Sequence, residues 1–79
     1  MERNAIFEKL TTIFREVFKD DNIVATEDLT SEDVKTWDSL TNMKMVAAVE
    51  KEFGIKLQLR EIMKWKNVGN MADSIAKKI

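Results

Sequence analysis

Apolar residues recur every three or four positions in three stretches of this chain, and this spacing constrains the fold more than any other feature. In the first stretch, Ile6, Leu10, Ile13 and Val17 share one face of a helix that is predicted over residues 3–18. An apolar stripe on a helix must be buried against another element, so the pattern predicts helices packed against one another.

Two further helices and one short one are predicted downstream. The second helix is predicted over residues 39–53, and Gly54 stands where a glycine ends many helices. A single short helix fits Leu59–Met63, and Asn67 is the predicted N-cap of the last helix. The residues predicted to face the core are Met43, Val46, Val49 and Phe53 in the second helix and Val68, Met71, Ala72, Ile75 and Ile79 in the last.

Helical spacing is absent between Lys19 and Trp37, where polar and turn-forming residues accumulate. Ile23, Leu29 and Val34 are expected to anchor this loop to the core, and residues 31–34 to form one helical turn. A chain of 79 residues supports one core. The prediction is therefore a single domain over residues 1–79, an all-α bundle of three main helices plus one short helix, with a long loop between helices one and two.

The composition excludes several classes of function. The chain has no cysteine and no histidine, which removes disulfides, thiolate metal sites and the usual general base of an enzyme. The acidic residues of the loop lack the spacing and glycine of a calcium-binding loop, so no metal site is predicted. No apolar run approaches the roughly 20 residues that cross a bilayer. We expect a monomer in the cytoplasm that does not bind membranes.

Charge is unevenly distributed along the chain. Residues 20–38 hold seven acidic residues and one lysine, whereas residues 54–79 hold six basic and two acidic residues. The basic segment Lys64-Trp65-Lys66 suggests nucleic-acid binding, but the overall pI of about 5.4 argues against a phosphate-binding face. No nucleic-acid partner is predicted.

The most informative segment is Asp38-Ser39-Leu40, which lies directly at the predicted start of the second helix. Backbone N–H groups at a helix start lack partners and the helix dipole is positive there, so a phosphate ester on Ser39 is electrostatically favoured. The alternative is that Asp38 or Ser39 is simply the N-cap of the helix. Helix geometry alone does not decide between them.

This segment and the helix after it, which ends in Phe53-Gly54-Ile55, resemble the Asp-Ser-Leu motif and second helix of acyl carrier proteins. The resemblance extends over essentially the full chain. It includes Leu29, Asp33 and Val34 upstream and Val68-Gly69-Asn70-Met71 downstream.

The resemblance implies that a phosphopantetheinyl transferase attaches 4'-phosphopantetheine from coenzyme A to Ser39. The terminal thiol of this arm then carries acyl or aminoacyl groups as thioesters between acyl-loading and acyl-transfer enzymes. The pathway implied is fatty-acid, polyketide or other specialised biosynthesis. The protein would be a carrier and not an enzyme, because the reactive sulfur belongs to the cofactor.

The resemblance also implies partner contacts. Asp38 would help present the serine to the transferase, with a helix-capping role alongside. Leu40 and Ala47 match positions of apolar contact with partner enzymes, although Leu40 is equally compatible with a place in the core.

The second helix departs from the acidic pattern typical of fatty-acid carriers, because Thr41, Lys44 and Lys51 stand where many of them have acids. Docking by complementary charge would then be weaker, or would use loop acids such as Asp33 instead, and Glu50 is a further candidate contact. This departure favours a carrier of a specialised pathway.

An alternative from another class is an unmodified helical protein-interaction domain. The second helix would then be a docking surface and Ser39 only a cap. The modification state of Ser39 separates the two hypotheses.

Overall fold

The computed structural model describes Met1–Ile79 as four α-helices with no strand. The helices are α1 (Arg3–Val17), α2 (Ser39–Phe53), α3 (Leu59–Ile62) and α4 (Val68–Lys78), and a 3₁₀ turn (Ser31–Asp33) lies between α1 and α2. The predicted all-α bundle of three main helices and one short helix is confirmed. None of the helices combines the length and apolar character needed to cross a membrane.

The core lies where α1 packs against both α2 and α4. Its helical side chains are Ile6, Leu10, Ile13 and Phe14 from α1, Met45 and Val49 from α2, and Val68, Met71, Ala72 and Ile75 from α4. The stripe predicted for α1 is confirmed apart from Val17, which is half-buried. The helix ends because Lys19 adopts a left-handed backbone conformation with φ of 53°.

The loop between α1 and α2 is anchored as predicted. Ile23 and Val34 are buried and Leu29 is half-buried against the core. Backbone bonds add to these contacts, because the N–H of Val68 donates to the carbonyl of Leu29 at 2.9 Å. The loop is therefore held against the start of α4 rather than left free in solvent.

The inward face of α2 differs from the prediction. Met43 was predicted to face the core, but its side chain is 71% exposed, whereas Met45 is fully buried. The inward position of the first turn is occupied by Asn42, a polar residue whose side-chain oxygen accepts a hydrogen bond from Trp37. The prediction from apolar spacing is therefore wrong for this turn, where Asn42 and not Met43 faces inward.

The start of α4 lies close against the loop between α1 and α2. The side-chain oxygen of Asn67 accepts from the N–H of Asn70 at 2.9 Å, which confirms the predicted N-cap. Gly69 is buried, and a Cβ there would lie 2.6 Å from a carboxylate oxygen and 2.9 Å from the carbonyl oxygen of Glu27. Ile79 was predicted to face inward, but it lies beyond the last residue of α4 and is 47% exposed.

A single guanidinium joins α1, the loop and α4. Arg3 forms ion pairs with Glu27 at 2.6 Å and Asp73 at 2.9 Å, and it donates to the carbonyl of Gly69 at 3.1 Å. The hydrogen bond to Glu27 raises the pKa of Arg3, and the same bond lowers the pKa of Glu27. Both side chains are about half exposed, so solvent screens the pair.

Candidate functional site

Asp38, and not Ser39, is the N-cap of α2. The Asp38 carboxylate accepts a hydrogen bond from the N–H of Thr41 at 2.9 Å, and the Thr41 hydroxyl accepts from the N–H of Asp38 at 2.9 Å. This reciprocal pair is a capping box in which both partners satisfy backbone groups. The hydroxyl of Ser39 is therefore not used to start the helix.

Ser39 is the first residue of α2, and its side chain is exposed. Neither its hydroxyl nor its backbone N–H has a hydrogen-bond partner within the protein. The positive end of a helix of 15 residues adds a favourable field for an anion. The residue thus offers a free, exposed hydroxyl at the first position of a helix.

The Asp38 carboxylate next to this serine is held in place by its capping hydrogen bond. The hydrogen bond from the backbone of Thr41 holds the pKa of Asp38 below its ordinary value. Asp38 is therefore ionised at neutral pH and acts as a hydrogen-bond acceptor only.

Trp37, the residue directly before the cap, is fixed by contacts with both α1 and α2. Its ring stacks on Phe18 with centroids 4.8 Å apart and meets the edge of Phe14 at 5.5 Å. Its indole N–H donates to Asn42 in α2 at 3.0 Å. The serine therefore follows a chain segment that is locked between α1 and α2. This role of Trp37 was not predicted from the sequence, although a large aromatic ring two residues before the serine was a signal that could have indicated it.

A groove begins beside Ser39. A shallow cavity lined by Asp38 and Ser39 shares Ser31, Trp37 and Asn42 with a second cavity of about 150 Å³. We call this second cavity the Trp37–Trp65 groove. Its apolar lining is Leu29, Trp37, Ile62, Trp65 and Met71, and its polar lining is Thr30, Ser31, Asn42, Lys66 and Asn67.

Exposed apolar side chains lie on α2 and α3, which both contribute residues to this groove. Leu40 is 62% exposed, which removes it from the core, and Ala47 is also exposed. Leu59 and Met63, at the two ends of α3, are 71% and 76% exposed. With Met43 they form a set of solvent-facing apolar groups that spacing alone did not predict.

The acids predicted to dock partners have roles within the protein. Glu50 accepts the N–H of Leu57 at 2.8 Å and so holds the connector after α2. Asp33 accepts the N–H of Thr30 at 2.9 Å and caps the 3₁₀ turn. Contact of either acid with a partner stays a prediction.

Six basic residues from α2 to the start of α4 form no ion pair. The only ion pairs in the structure use Arg3, Lys9 and Lys78 as cations. The residues left without an ion-pair partner between α2 and α4 are Lys44, Lys51, Lys56, Arg60, Lys64 and Lys66. Glu52 pairs with Lys9 and Glu61 with Lys78, but the loop acids Asp28 and Glu32 beside the groove form no ion pair either, so the charge around the groove is mixed.

No group of three or more acidic side chains is placed to hold a metal ion. The chemistry available at this site is therefore that of a free serine hydroxyl at a helix start, a neighbouring groove and an exposed apolar surface.

Comparison with known proteins adds two findings. A family described as a phosphopantetheine attachment site matches residues 8–75. The solution NMR structure of a holo acyl carrier protein from Geobacter metallireducens is similar to this chain, with a TM-score of 0.86 and 44% sequence identity. The match covers 91% of this chain and 83% of that one. No protein of curated function gives a significant match.

Proposed function

Because this chain belongs to the acyl carrier proteins, whose cofactor is covalent 4'-phosphopantetheine, we propose that Ser39 is the residue that bears the cofactor. The protein is a carrier and not an enzyme. The observation that carries the proposal is the free and exposed hydroxyl of Ser39 at the first position of α2, with Asp38 performing the capping.

Attachment is a transfer from coenzyme A. The Ser39 oxygen attacks the phosphorus that bears the pantetheine group, a new serine phosphodiester forms, and the pyrophosphate bond of coenzyme A breaks. Adenosine 3',5'-bisphosphate leaves, and the serine proton passes to a base of the transferase. The structure supports a helping role for Asp38 only as the group that fixes the serine at the helix start.

The terminal thiol of the attached arm supplies the thioester chemistry. The residues of this chain keep the arm near α2 and present it to the acyl-loading and acyl-transfer enzymes. We propose that acyl or aminoacyl groups are carried this way in the cytoplasm by a monomeric protein.

Partner enzymes are proposed to contact the exposed apolar groups beside Ser39, namely Leu40 and Ala47 from α2, extended by Met43 and by Leu59 and Met63 of α3. Exposed apolar groups of this size are recurrent features of protein contact surfaces. Asp33 and Glu50 are proposed as acidic contacts at the border of this surface.

The unpaired lysines and arginine near α2 favour a specialised pathway, polyketide assembly among them, over bulk fatty-acid synthesis. A partner that docks on this surface meets positive charge at Lys44, Arg60 and Lys64. Complementary charge governs the rate of such encounters and the choice of partner.

The test is the intact mass of the protein after incubation with coenzyme A, magnesium and a broad-specificity phosphopantetheinyl transferase. A gain of one phosphopantetheine, assigned to Ser39 by fragmentation, is expected, and the Ser39→Ala variant should show no gain. A folded, initially unmodified sample that resists several transferases would instead support the interaction-domain hypothesis.

A further inference from the structure

The exposed surfaces of α2 and α3 carry basic residues next to apolar ones, while the acids of these two helices are engaged within the protein. We propose that this surface binds partner enzymes that present an apolar patch flanked by carboxylates, and that it selects against enzymes with a basic docking surface. The inference rests on the proposed attachment at Ser39, because an enzyme that acts on the arm must approach this end of α2.

The outward face of α2 is a single stripe of alternating apolar and basic residues. Its four members recur at steps of four, three and four positions, so they lie above one another on one side of the helix: Leu40, Lys44, Ala47 and Lys51. We call them the α2 stripe. All four are exposed, and the buried face of α2 lies on the far side of the helix. At a rise of 1.5 Å per residue the stripe extends over about 16 Å and begins next to Ser39.

Both acids of α2 are engaged within the protein. Glu52 is ion-paired with Lys9 of α1 at 2.9 Å. Glu50 is half-buried and accepts the N–H of Leu57 at 2.8 Å. The two lysines of the stripe form no ion pair. A partner that approaches the stripe therefore meets two ammonium groups that no carboxylate of this chain neutralises.

The exposed side of α3 repeats this combination. Leu59 and Met63 are 71% and 76% exposed, and each is followed by an exposed base, Arg60 and Lys64 respectively. Neither base forms an ion pair, whereas Glu61, the acid of this helix, is paired with a lysine of α4 at 3.1 Å. Because α2 and α3 both contribute residues to the Trp37–Trp65 groove, one partner can reach both helices.

Acids without an ion pair lie beside the groove as well, but they belong to the loop before Ser39. Asp28 and Glu32 flank residues 29–31, which line the groove, and Asp33 caps the 3₁₀ turn. Negative charge is therefore placed at the Ser39 end of α2. The two lysines of the stripe lie about 8 and 18 Å farther along the helix axis. A matching enzyme needs its carboxylates at that distance from the arm and not at the serine itself.

The two kinds of residue in the stripe have different effects on docking. The apolar members supply surface that is buried on contact, whereas exposed charges at the border govern the rate of encounter and the choice of partner. Lysines attract carboxylates and repel the lysines or arginines of a basic surface, so the stripe disfavours the second kind of enzyme. The position beside Ser39 favours an enzyme as the occupant over an anionic membrane.

The experiment titrates the intact protein with two helical peptides of equal length that share one stripe of leucines. Glutamates flank the leucines in the acidic peptide and lysines flank them in the basic peptide. Two-dimensional NMR follows the backbone amides of the protein. This measurement does not depend on loading, whereas the mass measurement tests attachment at Ser39, so the two proposals fail separately.

We expect the acidic peptide to shift the amides of the α2 stripe and of α3, and to bind about tenfold more tightly than the basic peptide at low salt. The double variant Lys44→Glu/Lys51→Glu should lose or reverse this preference. The control Lys19→Glu/Lys35→Glu changes the net charge equally at two exposed lysines that also lack an ion pair but lie outside both helices, and it should retain the preference.

Equal binding of both peptides to the stripe, or tighter binding of the basic one, would overturn the proposal. An equal loss of preference in the control variant would also overturn it, because net charge alone would then be responsible. Shifts of the same amides when the protein is concentrated without peptide would assign the surface to a second copy of the chain. Shifts caused by vesicles of anionic phospholipid and not by the acidic peptide would assign it to a membrane.

Discussion

The indole nitrogen of Trp37 donates a hydrogen bond to the side-chain oxygen of Asn42 across the first turn of α2. This bond joins the last part of the long loop to the helix that starts at Ser39. Because the indole ring also stacks on Phe18, one side chain connects α1, the loop and α2.

This bond is expected to contribute measurably to stability. Trp37→Phe keeps an aromatic ring against Phe18 but leaves the Asn42 oxygen without its donor. A double-mutant cycle with Asn42→Ala should give a coupling of about 0.5 to 1.5 kcal/mol in urea unfolding. A coupling of zero would show that the bond does not hold the two elements together.

Ser39→Ala should abolish loading while changing the free energy of unfolding by no more than about 0.5 kcal/mol, because the hydroxyl makes no contact within the protein. Asp38→Ala should lower the melting temperature by more than Ser39→Ala does, since it removes the cap of α2. Thermal unfolding of both variants, with mass spectrometry of the loaded forms, checks this. A larger loss of stability in Ser39→Ala would contradict the assignment of the cap.

The capping role of Asp38 also predicts that the stability of the folded protein depends on pH. The pKa of Asp38 is lower in the folded protein than its ordinary value of about 3.9. Its ionised form therefore stabilises the folded state above that ordinary value, and the contribution is lost as the pH falls through the lower folded pKa. The protection of the Thr41 amide against hydrogen exchange, taken relative to the intrinsic exchange rate at each pH, should fall in that acidic range. Asp38→Asn keeps a capping oxygen that does not titrate, so this loss of protection should be absent there.

Gly69→Ala should destabilise the protein even though alanine is the better helix former. A Cβ at this position would lie 2.9 Å from the backbone oxygen of Glu27, which is held by the N–H of Gly69 itself. A loss of about 1 to 3 kcal/mol is expected in chemical unfolding. Stabilisation by the alanine would mean that the loop moves away from α4 without cost.

Leu40→Ser should slow loading by the transferase about tenfold in kcat/KM, which corresponds to about 1.4 kcal/mol, because Leu40 is proposed as one of the few side chains that dominate this contact. Val24→Ser is the matched control, because Val24 is 55% exposed but lies in the loop far along the chain from Ser39. Equal loading rates for both variants and the unsubstituted protein would show that Leu40 does not contact the transferase.

The sequence was sufficient for the bundle and for the position of Ser39, because helical spacing and the Asp38-Ser39-Leu40 motif are local patterns. It was not sufficient for the orientation of the first turn of α2. There Asn42 faces inward and Met43 outward, and the cause is a hydrogen bond to a tryptophan five residues earlier. Likewise, no local sequence pattern predicts that the Glu50 carboxylate accepts a hydrogen bond from the N–H of Leu57. Contacts between separate elements decide these details.

The two indole rings give the protein an intrinsic optical reporter. The chain contains two tryptophans and no tyrosine, and both tryptophans line the groove near Ser39. Fluorescence excited at the tryptophan band therefore originates entirely from the walls of that groove. A change in the emission of the unlabelled protein would report a change in the surroundings of this groove, such as a partner enzyme docking against it.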